Sequence, residues 1–212
     1  MAQQTINIGT VANDGTGDPL RDAFDKANDN FTELYGMGGG GGSGGEFMIP
    51  IMAAAMTSRT TSGAAAGSSE TTTNKVMLPT LDFDQSTDEF AQFMMPMPKS
   101  WNEGTLIASF IWTADATGDV VWGLQAVAIS NDDPLDAAFG SAVTVTDSVT
   151  AAGDLMESAE SAAMTVGGSP AELDLVAFQV YRDADNGADT LAADAKLIAI
   201  RLFITTNAAD DS

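Results

Sequence analysis

The stretch Asp183-Ala184-Asp185-Asn186-Gly187-Ala188-Asp189 places four oxygen-bearing side chains within one short turn. Calcium takes six to eight oxygen ligands, many of them carboxylates, so Asp183, Asp185, Asn186 and Asp189 are the candidate calcium ligands. Asn13, Asp14, Gly15, Thr16 and Asp18 form a second such stretch. Neither completes the twelve-residue loop that ends in a bidentate Glu. Asp and Asn also populate turns because they tolerate turn backbones and bond to them. No other cofactor is expected.

Aromatic residues offer a different chemistry. Trp112 and Trp122 fall in the most hydrophobic stretches and read as core. Trp101 stands beside the Pro98 turn and is the candidate ligand contact, a platform for a sugar ring. The chain has no cysteine and no histidine. That excludes disulfides, thiol nucleophiles, zinc fingers and imidazole acid–base chemistry. The run Gly39–Gly42 lacks the Gly-Lys-Ser/Thr that would make it a phosphate loop. No fixed pair of acids stands out, and the expectation is a protein that is not an enzyme.

Charge narrows the partners. Eight basic residues face thirty acidic ones, for a net charge of −22. Such a field repels nucleic acid. The longest apolar run, Phe47 to Met56, is too short to span a bilayer, and the polar N-terminus lacks the basic and apolar regions of a secretory leader. Synthesis in the cytoplasm without membrane insertion is the expectation. Among 212 residues, 44% are hydrophobic and only 18% charged, with many small residues, a profile of β structure rather than of a charged helical bundle.

The elements that position these residues begin with Thr5 to Tyr35. A short extended segment, Thr5 to Ile8, enters a polar turn. Asp18 stands where an N-cap belongs and Pro19 at the first helical position. Leu20, Phe24, Ala27, Phe31 and Leu34 then follow at steps of four, three, four and three, the spacing of a seam buried against another helix. Asp22 with Lys26 and Arg21 with Asp25 are the expected ion pairs of the polar face. So short a helix needs a partner: copies of itself, a docking surface on something larger, or the downstream domain.

Ile6-Asn7-Ile8-Gly9-Thr10, Asn13-Asp14-Gly15-Thr16-Gly17-Asp18-Pro19-Leu20-Arg21, Ala23-Phe24, Lys26, Asn28, Asn30-Phe31 and Leu34-Tyr35 resemble the N-terminal module of bacteriophage fibre and other virion structural proteins. The resemblance implies a homotrimer whose N-terminal module attaches it to other proteins of the particle. Leu20, Phe24, Ala27, Phe31 and Leu34 are then the oligomerisation and attachment residues. Residues 97–105, 121–125 and 178–183 likewise resemble a C-terminal domain of phage structural proteins.

Four segments are expected: an attachment module over 1–35, a Gly-rich linker over 36–46, an apolar segment with a flexible arm over 47–74, and a β-domain over 75–212. Within the last, strands are predicted near 76–83, 90–97, 105–113, 120–129, 142–149, 173–182 and 195–205, with two short ones and a bend over 154–166. Gly118-Asp119 reads as the turn of a hairpin joining 105–113 to 120–129. Seven or eight strands with Gly, Pro and Asp turns predict an antiparallel β-sandwich of jelly-roll type. Both faces of 105–113 and 120–129 are apolar, so one is assigned to the core and the other to a subunit interface. The expected function is a homotrimeric fibre or spike of a bacteriophage particle. The alternatives are a cement protein decorating the capsid, and a receptor module for a host surface glycan.

Overall fold

The computed structural model describes residues 4–11, 14–38, 44–208 and 211, with the side chains of 34–38 outside that description. One helix, α1 (Leu20–Gly38), precedes eleven strands. In chain order these are β1 (Glu46–Met52), β2 (Thr57–Ser58), β3 (Ala65–Glu70), β4 (Met77–Phe83), β5 (Glu89–Pro96) and β6 (Ile107–Thr113). There follow β7 (Gly118–Ile129), β8 (Val143–Val149), β9 (Met156–Glu157), β10 (Leu175–Arg182) and β11 (Ala195–Thr205).

The strands form two antiparallel sheets, ordered β3-β4-β11-β6-β9 and β2-β5-β10-β7-β8, with β1 on the part of β11 that β4 leaves free. The eight strands from β4 to β11 alternate between sheets except at β7–β8, and their order is that of a jelly roll. The mainly-β sandwich expected from the spacing is therefore present.

The core lies between the sheets and is set by strand alternation. β6 sends Ala108, Phe110 and Trp112 inward, and β7 answers with Val120, Trp122 and Leu124. Phe110 stacks on Trp122 at 5.6 Å, while Phe83 and Trp112 meet the same indole edge-on at 5.2 and 6.1 Å. Offset-stacked and edge-to-face contacts satisfy the ring quadrupoles.

The expected hairpin between 105–113 and 120–129 does not form. β6 pairs with β11 and β9, whereas β7 pairs with β10 and β8 in the other sheet. Both strands carry inward aromatics, and placing them in opposite sheets lets Phe110 and Trp122 pack face to face. The predicted pair of strands over 154–166 also shortens. Only Met156–Glu157 is a regular strand, beyond which Ser158 and Ser161 accept from the Phe110 and Ala108 N–H groups of β6 at 3.0 and 3.1 Å. Hydroxyls there complete an edge that would otherwise be buried without partners.

Residues 47–74 are not an arm. β1 pairs with β11 from Glu46↔Thr205 to Met52↔Ala199, and β3 pairs with β4. Pro50 is tolerated because β1 is an edge strand. The helix also runs past the expected start of the linker, to Gly38.

Candidate functional site

In the N-terminal module, the polar residues build a frame and the apolar ones are left over. Asp14 accepts from the Thr10 N–H and hydroxyl, both at 2.7 Å, and from the N–H groups of Val11 and Thr16 at 2.9 Å. The Thr16, Val11 and Thr10 bonds hold its carboxyl far below the usual carboxylate range. Gly9 has φ +77°, and a Cβ there would lie 2.6 Å from Asp14 Oδ1, so glycine is required.

Asp18 does not cap its own helix as expected. Its Oδ2 accepts from the Asn7 N–H at 2.8 Å and from Lys26 Nζ at 2.6 Å. The Lys26 bond first, then that from Asn7, lowers the Asp18 pKa. Lys26 thus reaches back two turns rather than one to Asp22, and also donates to the Thr5 carbonyl at 3.2 Å. Asn30 holds Gln4 in both directions: it accepts from the Gln4 N–H at 2.9 Å and donates to the Gln4 carbonyl at 2.8 Å. The extended segment is therefore strapped along one flank of α1. Gln4 belongs to this frame and was not legible as such, because its partner lies 26 residues on.

The opposite flank carries the predicted seam. Leu20, Phe24 and Phe31 are 76%, 61% and 56% exposed, and Ala27 is half-buried. The Leu34 side chain lies outside the described residues, as does Asn13. Two phenyl rings and a leucine at helical spacing form an exposed apolar surface that no other part of the chain covers among the described residues.

The predicted calcium loop is divided. The Asp189 side chain is 1% exposed and accepts from Arg182 Nη2 at 2.7 Å and Nε at 3.0 Å. Arg182 is fully buried; its remaining N–H groups donate to the carbonyls of Phe83, Ala193 and Leu191. Asp189 is therefore removed from the candidate set, since a buried guanidinium needs its charge. Asn186 donates its amide to Asp183 Oδ2 at 2.9 Å. Asp183 and Asp185 instead meet Asp88, with carboxylate oxygens within 4.8 Å of one another. Repulsion from Asp88 is the main cause of a raised Asp185 pKa. Asp88 precedes β5, which lies beside β10, so only strand pairing brings it to the loop.

Trp101, the expected ligand contact, is 1% exposed. The Pro98–Trp101 turn folds it under the sheet, where it bridges Thr206 beyond the end of β11. Trp112 and Trp122 are core, as expected; the Trp112 indole N–H donates to Asp147 at 2.7 Å.

With this geometry in hand, the sequence model of a family described as "Bacteriophage T4 gp9/10-like protein, N-terminal" matches residues 3–86. The match spans the strapped helix and runs through β4, and it supports the resemblance to bacteriophage virion structural proteins. No curated protein matches the chain. Among solved structures, a CBM35 from Cellvibrio japonicus Abf62 aligns at 10% identity with a TM-score of 0.45, covering 77% of this chain and 100% of that one. A family 11 carbohydrate-binding module from Clostridium thermocellum aligns at 9% identity with a TM-score of 0.38, covering 79% and 98%. Among the described residues, no helix is long and apolar enough to cross a membrane.

Proposed function

We propose that the protein is a structural component of a bacteriophage particle, a homotrimeric fibre or spike anchored through its N-terminal module. The observation that carries this reading is the exposed Leu20/Phe24/Phe31 seam on a helix whose other flank is occupied by its own strap. Burying each large side chain of that seam against sister helices contributes roughly 1.5–3 kcal/mol. The family match over the same segment supports a virion protein.

Mass measurement of the purified full chain tests the assembly. A mass of three chains is expected, and a monomer at micromolar concentration rejects it. The cement alternative differs in where the sandwich ends up. Labelled protein imaged on the virion is expected to project from its anchor with the sandwich free; a sandwich flush with the capsid lattice would replace fibre by cement. The receptor-module alternative loses Trp101 as its contact, because that indole is buried.

A further inference from the structure

The outer face of the β5-β10-β7 sheet holds a side-chain array that the anchoring function does not use. Register places Gln92, Gln179 and Gln125 in one row across the three strands, and Phe90, Tyr181 and Gly123 in the next. A Cβ on Gly123 would lie 2.2 Å from the Tyr181 ring, so the phenol leans over a position that only glycine leaves open. Phe90 and Tyr181 lie side by side, with centroids 5.5 Å apart and planes tilted by 31°. Arg59 sits over Phe90 at 4.2 Å. The amide row is half satisfied. Gln92 Nε2 donates to Gln179 Oε1 at 2.9 Å and Arg59 Nη1 to the same oxygen at 3.4 Å. Gln92 Oε1, Gln179 Nε2 and both polar atoms of Gln125 have no protein partner among the described residues.

We propose that this face is a saccharide-binding site, in which the Tyr181 ring takes the apolar face of a sugar and Gln92 and Gln125, the partly exposed ends of the row, take its hydroxyls, while buried Gln179 and the Arg59-covered Phe90 hold them in place. A sugar hydroxyl both donates and accepts, and amides beside one another supply both roles. A few polar groups set against aromatic surface are the usual makings of a small-ligand site. The ligand is a neutral oligosaccharide. Asp88 and Asp183 border Tyr181, and the chain carries a net charge of −22, which together repel phosphorylated, sialylated or uronic chains. Burial, then Asp183 and Asp88, raise the Tyr181 pKa above its ordinary value, so the phenol stays a donor at neutral pH. The site stands independently of the trimer.

The full-length protein on a glycan array of neutral and acidic oligosaccharides tests the proposal. Binding to neutral glycans is expected, followed by titration of the best one against variants. Tyr181→Ala and Gln125→Ala are each expected to weaken it by about tenfold, the loss of one good contact. Leu155→Ala, at an exposed position just before β9 of the other sheet, is expected to leave it unchanged. An array without neutral binders, binding confined to acidic glycans, or undiminished binding by both variants overturns the proposal. Should Tyr181→Ala fail to fold, Gln125→Ala decides alone, because its side chain has no protein partner to lose.

Discussion

Four carboxylates illustrate how differently the same residue type is used. Asp14 and Asp18 have pKa values depressed below the ordinary 3.8 by the donors that surround them. A group so depressed stabilises the fold fully above its unfolded pKa, and that contribution is lost as pH falls through 3.8 towards the folded value. The strap of α1 is therefore expected to loosen in acid. In an NMR titration the Thr10, Val11 and Thr16 amides should shift with a midpoint well below 3.8, and a midpoint at 3.8 would reject the bonding described. Asp185 is opposite in sign, raised chiefly by Asp88. Asp88→Asn is expected to bring its carboxyl resonance midpoint down, and an unchanged midpoint would show that the two do not interact. Asp189 is structural. Removing it leaves the Arg182 guanidinium buried without its counter-charge, which costs about 3–5 kcal/mol. Denaturant unfolding of Asp189→Ala is expected to show a loss of that size, and a loss under 1 kcal/mol would mean that water reaches the guanidinium.

At the scale of elements, α1 and its strap form one unit with two faces. Phe24→Asp with Phe31→Asp leaves the strap intact and puts charge into the seam. Native mass measurement is expected to give a monomer, while the thermal transition of the sandwich stays where it was. A trimer that survives both substitutions would move the assembly contact elsewhere. The strands divide differently. β1 joins the sheet through β11, with Ile49 and Ile51 packed on the core and Met48 and Met52 outside. Its sequence reads only as an apolar run too short to span a bilayer. That its partner is the last strand of the chain, about 150 residues away, is a tertiary fact.

For the whole molecule, the proposed contact between copies falls on the outer face of the sheet that β1 joins. The outer face beside β1 shows Met48, Met52, Phe203, Ile107 and Ile111, with Arg201 reaching over β6 to pair with Glu157. Exposed apolar side chains gathered on one face are what a contact between copies would cover. The chain has no cysteine, so Met52→Cys is a clean reporter. Under mild oxidation it is expected to cross-link copies much faster than Met94→Cys, a more exposed position on the other sheet. Equal rates would remove this face from the interface.

Periodicity and charge, read along the chain, were enough for the local terms. The four-three seam of α1, the alternation of β6, β7, β8 and β11, the exclusion of thiol and imidazole chemistry, and the virion resemblance of the N-terminal module all follow from residues close in sequence. They are legible because side-chain direction repeats every 3.6 or 2 residues whatever lies across the core. Pairing across distance was decided only by tertiary structure. β6 and β7 look like a hairpin because Gly118-Asp119 reads as a turn between them, yet a jelly roll needs them in opposite sheets. Trp101 looks exposed beside its turn, yet the end of β11 closes over it. Asp189 looks like a metal ligand, yet a buried Arg182 needs its charge. Asp88 and the glutamine row have no local signature, since residues of three strands become neighbours only through register. Burial and charge pairing depend on what the rest of the chain brings to a site, and the interval between residues in sequence does not encode that.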